Sequence, residues 1–419
     1  MNSLKEFDDH ILSTFSAQGI QLRSGARSGL WCALLLPASL ILSAVHHTDA
    51  VSLSYQLTMV ATVVSTLFLI LKVLNGTPEI VYLLVLVLNC ILFTLSGSGL
   101  VTTFIMSSFI IVTSSSSHQL LSTLLRNFPS SFSVGEALLV TQAVVAFAFS
   151  ALINCLVGEV AQSTIFAQVL LTGVGFFMAV VGLKPQLRNF LPFTCFLLII
   201  VGPMTLLVMA LLLDFNPITW LLQFIFSTRT RISLIFYWIA CSISAILIAW
   251  GLGGSSIQLT ILRKYFHGII VAVFIPGVWL DSELLYLATV IAFAAFLFIE
   301  TVRICKVEPL ARLLNQSLTV FLDEKDQGIL ILTHIYLLVG CSLPLWITPV
   351  SLSTDGSVNY SQILLLSSGV FALGVGDTAA SVGGTLWGRT KIGQSSKSIE
   401  GTLCSIGAQM TFAWLLITF

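Results

Sequence analysis

The sequence predicts an all-α, polytopic integral membrane helix bundle, and three observations point to it. Of 419 residues, 57% are hydrophobic and only 9% are charged, whereas a soluble domain carries about 25% charged residues. Mean hydropathy is +1.02. Apolar runs near the length that crosses a bilayer as a helix, roughly 20 residues, recur along the chain. The alternating ten-residue pattern of a β-barrel is absent.

Residues 1–27, with Lys5, Glu6, Asp8, Asp9, Arg23 and Arg27, read as a polar cytoplasmic tail, and no cleavable signal is evident. About 13 candidate spans follow, each bounded by a polar connection. Span 28–46 ends at His46–Ala50, 52–71 at Lys72, and 79–95 at Ser96–Ser98. Span 99–113 leads to Arg126, 134–157 ends at Gly158–Gln162, and 163–183 ends at Lys184 and Arg188. Span 190–213 is followed by Pro217, an apolar stretch, and then Arg229 and Arg231 ahead of span 232–252. Arg263 and Lys264 precede 267–280, Arg303–Arg312 follows 284–302, and Asp323–Asp326 precedes 328–347. Gly376–Lys397 separates 361–374 from 403–419. The runs at 267–280 and 361–374 are short, so each is either extended by its flanks or a broken helix.

Charge sets orientation and organisation. Through the first six spans, loops carrying Lys or Arg alternate with loops that have neither, which places the amino terminus in the cytoplasm. Continuing the count puts every polar cluster of chemical interest on that same face. Arg229 and Arg231 break the pattern. Of 36 charged side chains, 19 fall between Arg263 and Glu400. Residues 28–262 therefore read as a hydrophobic multi-span scaffold and 263–419 as the catalytic region. Zero net charge gives no reason to expect a nucleic-acid partner. Eight scattered cysteines without a CxxC read as free thiols.

The most informative segment is Gly374-Val-Gly-Asp-Thr-Ala-Ala-Ser-Val-Gly-Gly384, followed by Lys397-Ser-Ile-Glu-Gly-Thr402. Glycines let backbone N–H groups approach phosphate oxygens, Asp377 can hold a divalent cation, and Lys397 can neutralise phosphate charge. The competing reading is tight helix packing through small residues, which needs no carboxylate. Asp323 and Asp326 can share a helical face and bind Mg²⁺ or Ca²⁺, or simply favour a helix N-terminus. Arg263 and Lys264 suit nucleotide phosphates or an ordinary cytoplasmic anchor. His267 reads as a base or as a structural helix-end histidine. Glu300 either faces a polar cavity or pairs with Arg303 one turn on. Gly383–Thr390 has a superficial Walker A look with Arg389 in place of Lys; no strand precedes it, so a P-loop fold is rejected.

In order, Arg263-Lys-Tyr-Phe-His267, Phe321-Leu-Asp-Glu-Lys-Asp326, Leu332-Thr-His-Ile-Tyr-Leu337, Gly374-Val-Gly-Asp-Thr378 and Ile399-Glu-Gly-Thr402 closely resemble the dolichol kinase (polyprenol kinase) family of the endoplasmic reticulum membrane. The likeness covers about 263–410 and is only general before that. It implies transfer of the γ-phosphoryl group of CTP to dolichol, giving dolichyl phosphate and CDP for N-glycosylation, mannosylation and glycosylphosphatidylinositol anchors. The family's CTP-binding stretch maps onto Gly388 to Leu403, with Lys397, Ser398, Glu400, Gly401 and Thr402 as expected contacts. Gly374, Gly376 and Thr378 belong to an element shared with related lipid kinases that use CTP. Family members usually continue with further apolar spans beyond Phe412–Phe419, so the resemblance implies a chain shortened at its C-terminus.

The expectation is thus a CTP-dependent lipid kinase whose active site faces the cytoplasm. Asp377 leads as metal ligand or orienter of the alcohol, Asp323 and Asp326 stand second, and Asp326 shares the cation. Arg263, Lys264 and Lys397 neutralise phosphate charge. The rivals are a polyprenol- or phytol-type kinase, a phosphatidate cytidylyltransferase, and, more distantly, a transporter, which would show paired broken helices in related halves.

Overall fold

The computed structural model describes residues 2–46, 51–74, 83, 87, 100–157, 160–252, 259–318, 328–348, 360–393 and 397–418. Helices make up the regular structure of these residues, and the β-structure among them is one isolated antiparallel bridge, Lys391 to Ser398. Among the described residues, seven helices are long and apolar enough to cross a membrane, or eight if one bent pair counts as a span. This corrects the expected 13. The span read at 79–95 lies almost wholly outside the described residues, and 99–113 is the first half of a longer helix, Leu100–Asn127. The remaining excess comes from runs that fold as shorter apolar helices, Leu30–His46, Lys264–Leu280 and Thr333–Ile347. The run at 361–374 is a broken helix, bent by 67° between Tyr360–Leu366 and Val370–Leu386.

The chain divides into two compact units. The first comprises Met1–Ala161, Asp323–Leu332 and Ile347–Ser351. Its helices are α1 (Asn2–Ala17), α2 (Leu35–His46), α3 (Leu53–Val73), α4 (Leu100–Asn127) and α5 (Val134–Val157). Leu57, Ala61, Val64, Ile110, Phe149 and Ile153 form a core shared by α3, α4 and α5. Residues 1–27 are built into this unit: Ile11, Phe15 and Ile20 are buried, and Arg23 pairs with Glu136 at 2.7 Å. Glu136 also closes a capping box, accepting from Ser133 N at 2.9 Å while Ser133 Oγ accepts from Glu136 N.

The second unit comprises Gln162–Leu322, Thr333–Trp346 and Leu352–Phe419. Its helices are α6 (Gln162–Leu183), α7 (Phe190–Leu213), α8 (Pro217–Phe226), α9 (Arg229–Leu252), α10 (Leu259–Leu280), α11 (Ser282–Ile304) and α12 (Leu310–Leu318). After them come α13 (Thr333–Ile347), α14 (Tyr360–Leu366), a π-helical turn (Val370–Gly376), α15 (Asp377–Leu386) and α16 (Ile399–Thr418). Pro276 lies inside α10 and Pro344 inside α13, and each leaves a carbonyl four residues earlier without its helical N–H. Tyr237 of α9 donates to the freed Ala272 carbonyl at 3.0 Å. Gly369, at the bend before the π turn, packs against the freed Gly340 carbonyl; a Cβ there would stand 2.1 Å from that oxygen.

Arg231, which breaks the loop-charge alternation, is a packed residue rather than a loop cation. Its Nε bonds Asp281 at 2.6 Å, Nη2 reaches Glu283 at 3.3 Å, and the guanidinium lies 3.6 Å from the Phe224 ring centre. Asp281 also caps α11, accepting from Leu284 N at 2.8 Å. Both side chains of the main pair are at most 10% exposed. Removing one partner strands the other charge, so Asp281→Ala is expected to destabilise the protein by about 3–5 kcal/mol. A thermal melt in detergent that moves little would show that the charge relaxes into water.

Glu300 of α11 is buried and takes Arg303 on both carboxylate oxygens, at 2.5 and 2.8 Å. That is the i,i+3 ion pair among the two readings made for it.

Candidate active site

A kinked helix and its neighbour build the site. Along α10, Lys264, His267 and Val271 fall three and four residues apart and share one face. Along the π turn and its exit, Val370, Gly374 and Asp377 form the facing row. The two rows run antiparallel and approach most closely where Gly374 lacks a side chain; a Cβ there would lie 2.5 Å from Val271 Cγ2. That approach sets Lys264 opposite Asp377, and Nζ meets Oδ2 at 2.7 Å and the Asp377 carbonyl at 3.3 Å. Single π turns inside α-helices frequently occur at functional sites.

Magnitudes help decide what this pair does. The Lys264 side chain is 20% exposed and that of Asp377 54%. An ion pair so open to solvent contributes about 0.2–1 kcal/mol to stability. It is a weak staple for a membrane bundle. It is also accessible, and its partners can exchange for a ligand's charges. Beside it, Thr378 Oγ1 is buried without a hydrogen-bond partner among the described residues.

The glycines sit against protein atoms. A Cβ on Gly376 would meet Gln409 Nε2 at 2.5 Å, and one on Gly401 would meet the Ala380 carbonyl at 2.8 Å. One on Gly388 would meet the Gly384 carbonyl at 2.2 Å and Ser398 Oγ at 2.7 Å. These contacts let α15 and α16 pack through small residues, the competing reading made for this segment.

Between α15 and α16 the chain forms a short hairpin. Ile392 N donates to the Lys397 carbonyl and Ile399 N to the Thr390 carbonyl, both at 2.9 Å. Gly393 supplies the turn's positive φ of 60°. Glu400 braces the hairpin by accepting from Thr390 N with both oxygens, at 3.0 and 3.2 Å. Ser398 is buried and caps α16, its Oγ accepting from Gly401 N and its carbonyl from Thr402 N, each at 3.2 Å. Glu400, Ser398, Gly401 and Thr402 thus all help shape the hairpin. What the loop shows to solvent is cationic: Arg389, Lys391 and Lys397 are exposed. Arg389 and Lys391 fall within the Gly388–Leu403 stretch, in which the expected cationic phosphate contact is Lys397. Their signal was three cations within nine residues around a glycine turn.

Asp377 and the start of the hairpin lie at opposite ends of α15, about 15 Å apart along its axis. A single ligand touching both must be extended. Arg263 is in α10, with its side chain outside the described residues, and Asp323 and Asp326 lie outside them altogether. Among the described residues no group of three His, Cys, Asp or Glu side chains is placed to hold a metal alone. Mg²⁺ usually binds through one or two carboxylates plus substrate phosphates, so Asp377 fits as such a donor.

Comparison with known proteins adds identity to this geometry. The family model described as dolichol kinase matches residues 9–339. The dolichol kinase of Homo sapiens is 44% identical over 212 residues, covering 49% of this chain and 39% of the human protein. Dolichol kinase EVAN of Arabidopsis thaliana is 28% identical over 439 residues, covering 95% of this chain and 73% of the plant protein. The Saccharomyces cerevisiae dolichol kinase is 32% identical over 208 residues, covering 49% of this chain and 36% of the yeast protein. The matched stretch thus spans about two fifths of the length of the mammalian relatives. No solved structure matches. With a family match over well more than half of its length, the chain belongs to the dolichol kinase family.

Proposed function

We propose that the chain phosphorylates dolichol, taking the γ-phosphoryl group from CTP. The observation that carries this reading is the exposed Lys264–Asp377 pair at a kinked membrane helix, in a chain of the dolichol kinase family. In the step, the dolichol hydroxyl oxygen bonds to the γ-phosphorus while the bond from that phosphorus to the β,γ-bridging oxygen breaks. CDP leaves with that electron pair, and the hydroxyl proton passes to Asp377. Lys264 releases Asp377 and turns its charge to the transferring phosphoryl oxygens. Such transfer depends on positioning and charge neutralisation rather than on a covalent intermediate. A divalent cation held by Asp377 together with the nucleotide's own phosphates would neutralise nucleotide charge.

Arg389, Lys391 and Lys397 of the hairpin would reach back toward the phosphates and the far end of an extended nucleotide whose γ-phosphate lies at Asp377. Gly388, Ser398, Glu400, Gly401 and Thr402 hold the hairpin in shape. CTP as donor, the endoplasmic reticulum membrane and a product consumed in glycosylation are supported by the family resemblance, and a cytoplasmic active site by the distribution of Lys and Arg among the loops. Charge reversal on the loop is expected to act on the nucleotide alone. Lys391→Glu with Arg389→Glu should raise KM for CTP about tenfold or more and leave KM for the lipid unchanged.

Incubation with dolichol and CTP labelled at either the α or the γ position tests the reading. Label reaching the lipid only from the γ position, with CDP released, supports a kinase. α-Label in the lipid with pyrophosphate released would make the protein a cytidylyltransferase instead.

A further inference from the structure

A cleft of about 420 Å³ lies between α9 and α10, lined by Cys241, Ser244, Lys264, Gly268, Ile269 and Ala272. Its volume falls within the range of small-molecule sites, about 300–1,000 Å³. Lys264 closes one end, where its ammonium also meets Asp377. At the other end stands the Tyr237 hydrogen bond to Ala272, which satisfies the carbonyl freed by Pro276. Lys264 and Ala272 are about 12 Å apart along the helix. The groove is therefore open and mostly apolar, with Lys264 at its tip and the exposed Tyr265 also in its lining.

One wall of the cleft is α9, a helix fit to cross a membrane, whose far face carries the exposed Phe236, Ile239, Ile243 and Leu247. A ligand entering sideways from the bilayer meets apolar walls first and Lys264 last. In a bilayer, acyl chains fill such a slot as readily as any other hydrocarbon, so the walls alone do not select. Selection comes from the polar tip, which favours a chain ending in a group that can bond to an ammonium and a carboxylate. An isoprenoid alcohol has such an end.

We propose that this cleft seats the first isoprene units of the alcohol substrate and delivers its hydroxyl to the Lys264–Asp377 pair. The proposal rests on the kinase reading for its ligand, and it adds where that ligand lies. The groove provides positioning, holding the oxygen in reach of the phosphoryl group.

Gly268 provides the test. Gly268 lines the cleft and a Cβ there meets nothing within 4 Å, so a side chain at this position starts into open space rather than into packed atoms. Gly268→Phe should raise KM for dolichol at least tenfold while KM for CTP stays unchanged. Gly175→Phe in α6, where a Cβ also meets open space, should behave as wild type. In parallel, a C20 isoprenoid alcohol bearing a diazirine should crosslink to peptides containing residues 241–244 and 264–272. Excess dolichol should abolish that crosslink and phosphatidylcholine should not.

An unchanged lipid KM in Gly268→Phe, a crosslink confined to other helices, or equal competition by phosphatidylcholine would overturn the proposal. Crosslinking does not need turnover. A wild-type protein that crosslinks as expected but moves no γ-phosphate would sink the kinase reading and leave the cleft assignment standing.

Discussion

Replacing Asp377 with asparagine is expected to lower kcat for phosphoryl transfer by about 10²–10³-fold, the scale of losing a main electrostatic group. The same change should shift Tm by about 2 °C or less, because a half-exposed ion pair contributes at most about 1 kcal/mol. The contrast matters more than either number. Asparagine keeps the shape and one hydrogen-bonding oxygen while removing the charge that would hold a cation and receive the alcohol's proton. Steady-state kinetics and a thermal melt in the same detergent read both quantities. A wild-type kcat would remove Asp377 from the chemistry, whereas a collapse of Tm with activity would make its role structural.

The second large effect concerns a residue that bears no functional group. Gly374→Ala would place a Cβ 2.5 Å from Val271 Cγ2, closer than the atoms can stand. Valine is stiff about χ1, so the two helices must part rather than the side chain turn aside. Overpacking of this kind destabilises by about 1–3 kcal/mol. The displacement also draws Lys264 from Asp377, and a shift near 1 Å is enough for a loss of about 10²-fold in rate. Rescue distinguishes the mechanism: Val271→Ala in the Gly374→Ala background removes the obstructing methyl and should restore most of the activity. No rescue would mean that Gly374 serves by some route other than close approach.

Hydropathy made most of the fold legible. Seven long helices coincide with runs that any span-length reading picks out, because one helix crossing a bilayer is a local property of sequence. The overcount arose where local composition is insufficient. Pro276, Pro344 and the break at 367–369 interrupt apolar runs, and the carbonyl freed by Pro276 is satisfied by Tyr237, 35 residues away in sequence. Arg231 shows the same limit. Its neutralising carboxylates lie 50 and 52 residues on, so a loop-by-loop charge count sees a stray cation.

The site was legible as chemistry and illegible as geometry. Asp377 and Lys264 stood out because ionisable groups next to apolar runs are costly to keep there. Nothing local said that they meet, since the contact depends on Gly374 lying against Val271, about a hundred residues earlier. The spacing of the glycines in this region suggests a phosphate cradle, and close packing of Gly376 against Gln409 and of Gly401 against Ala380 is a further use of them that only the tertiary structure displays. The exposed Arg389 and Lys391 drew less attention than Lys397, though all three share one hairpin.

The most direct test of a Lys264–Asp377 reaction centre is a double-mutant cycle on transfer of γ-label from CTP to dolichol, comparing Lys264→Met, Asp377→Asn and the double variant. Residues that act as one unit lose their function together, so the double variant should be no slower than the slower single one. Losses that multiply, each variant subtracting its full effect from the other's background, would show two independent residues and contradict the account.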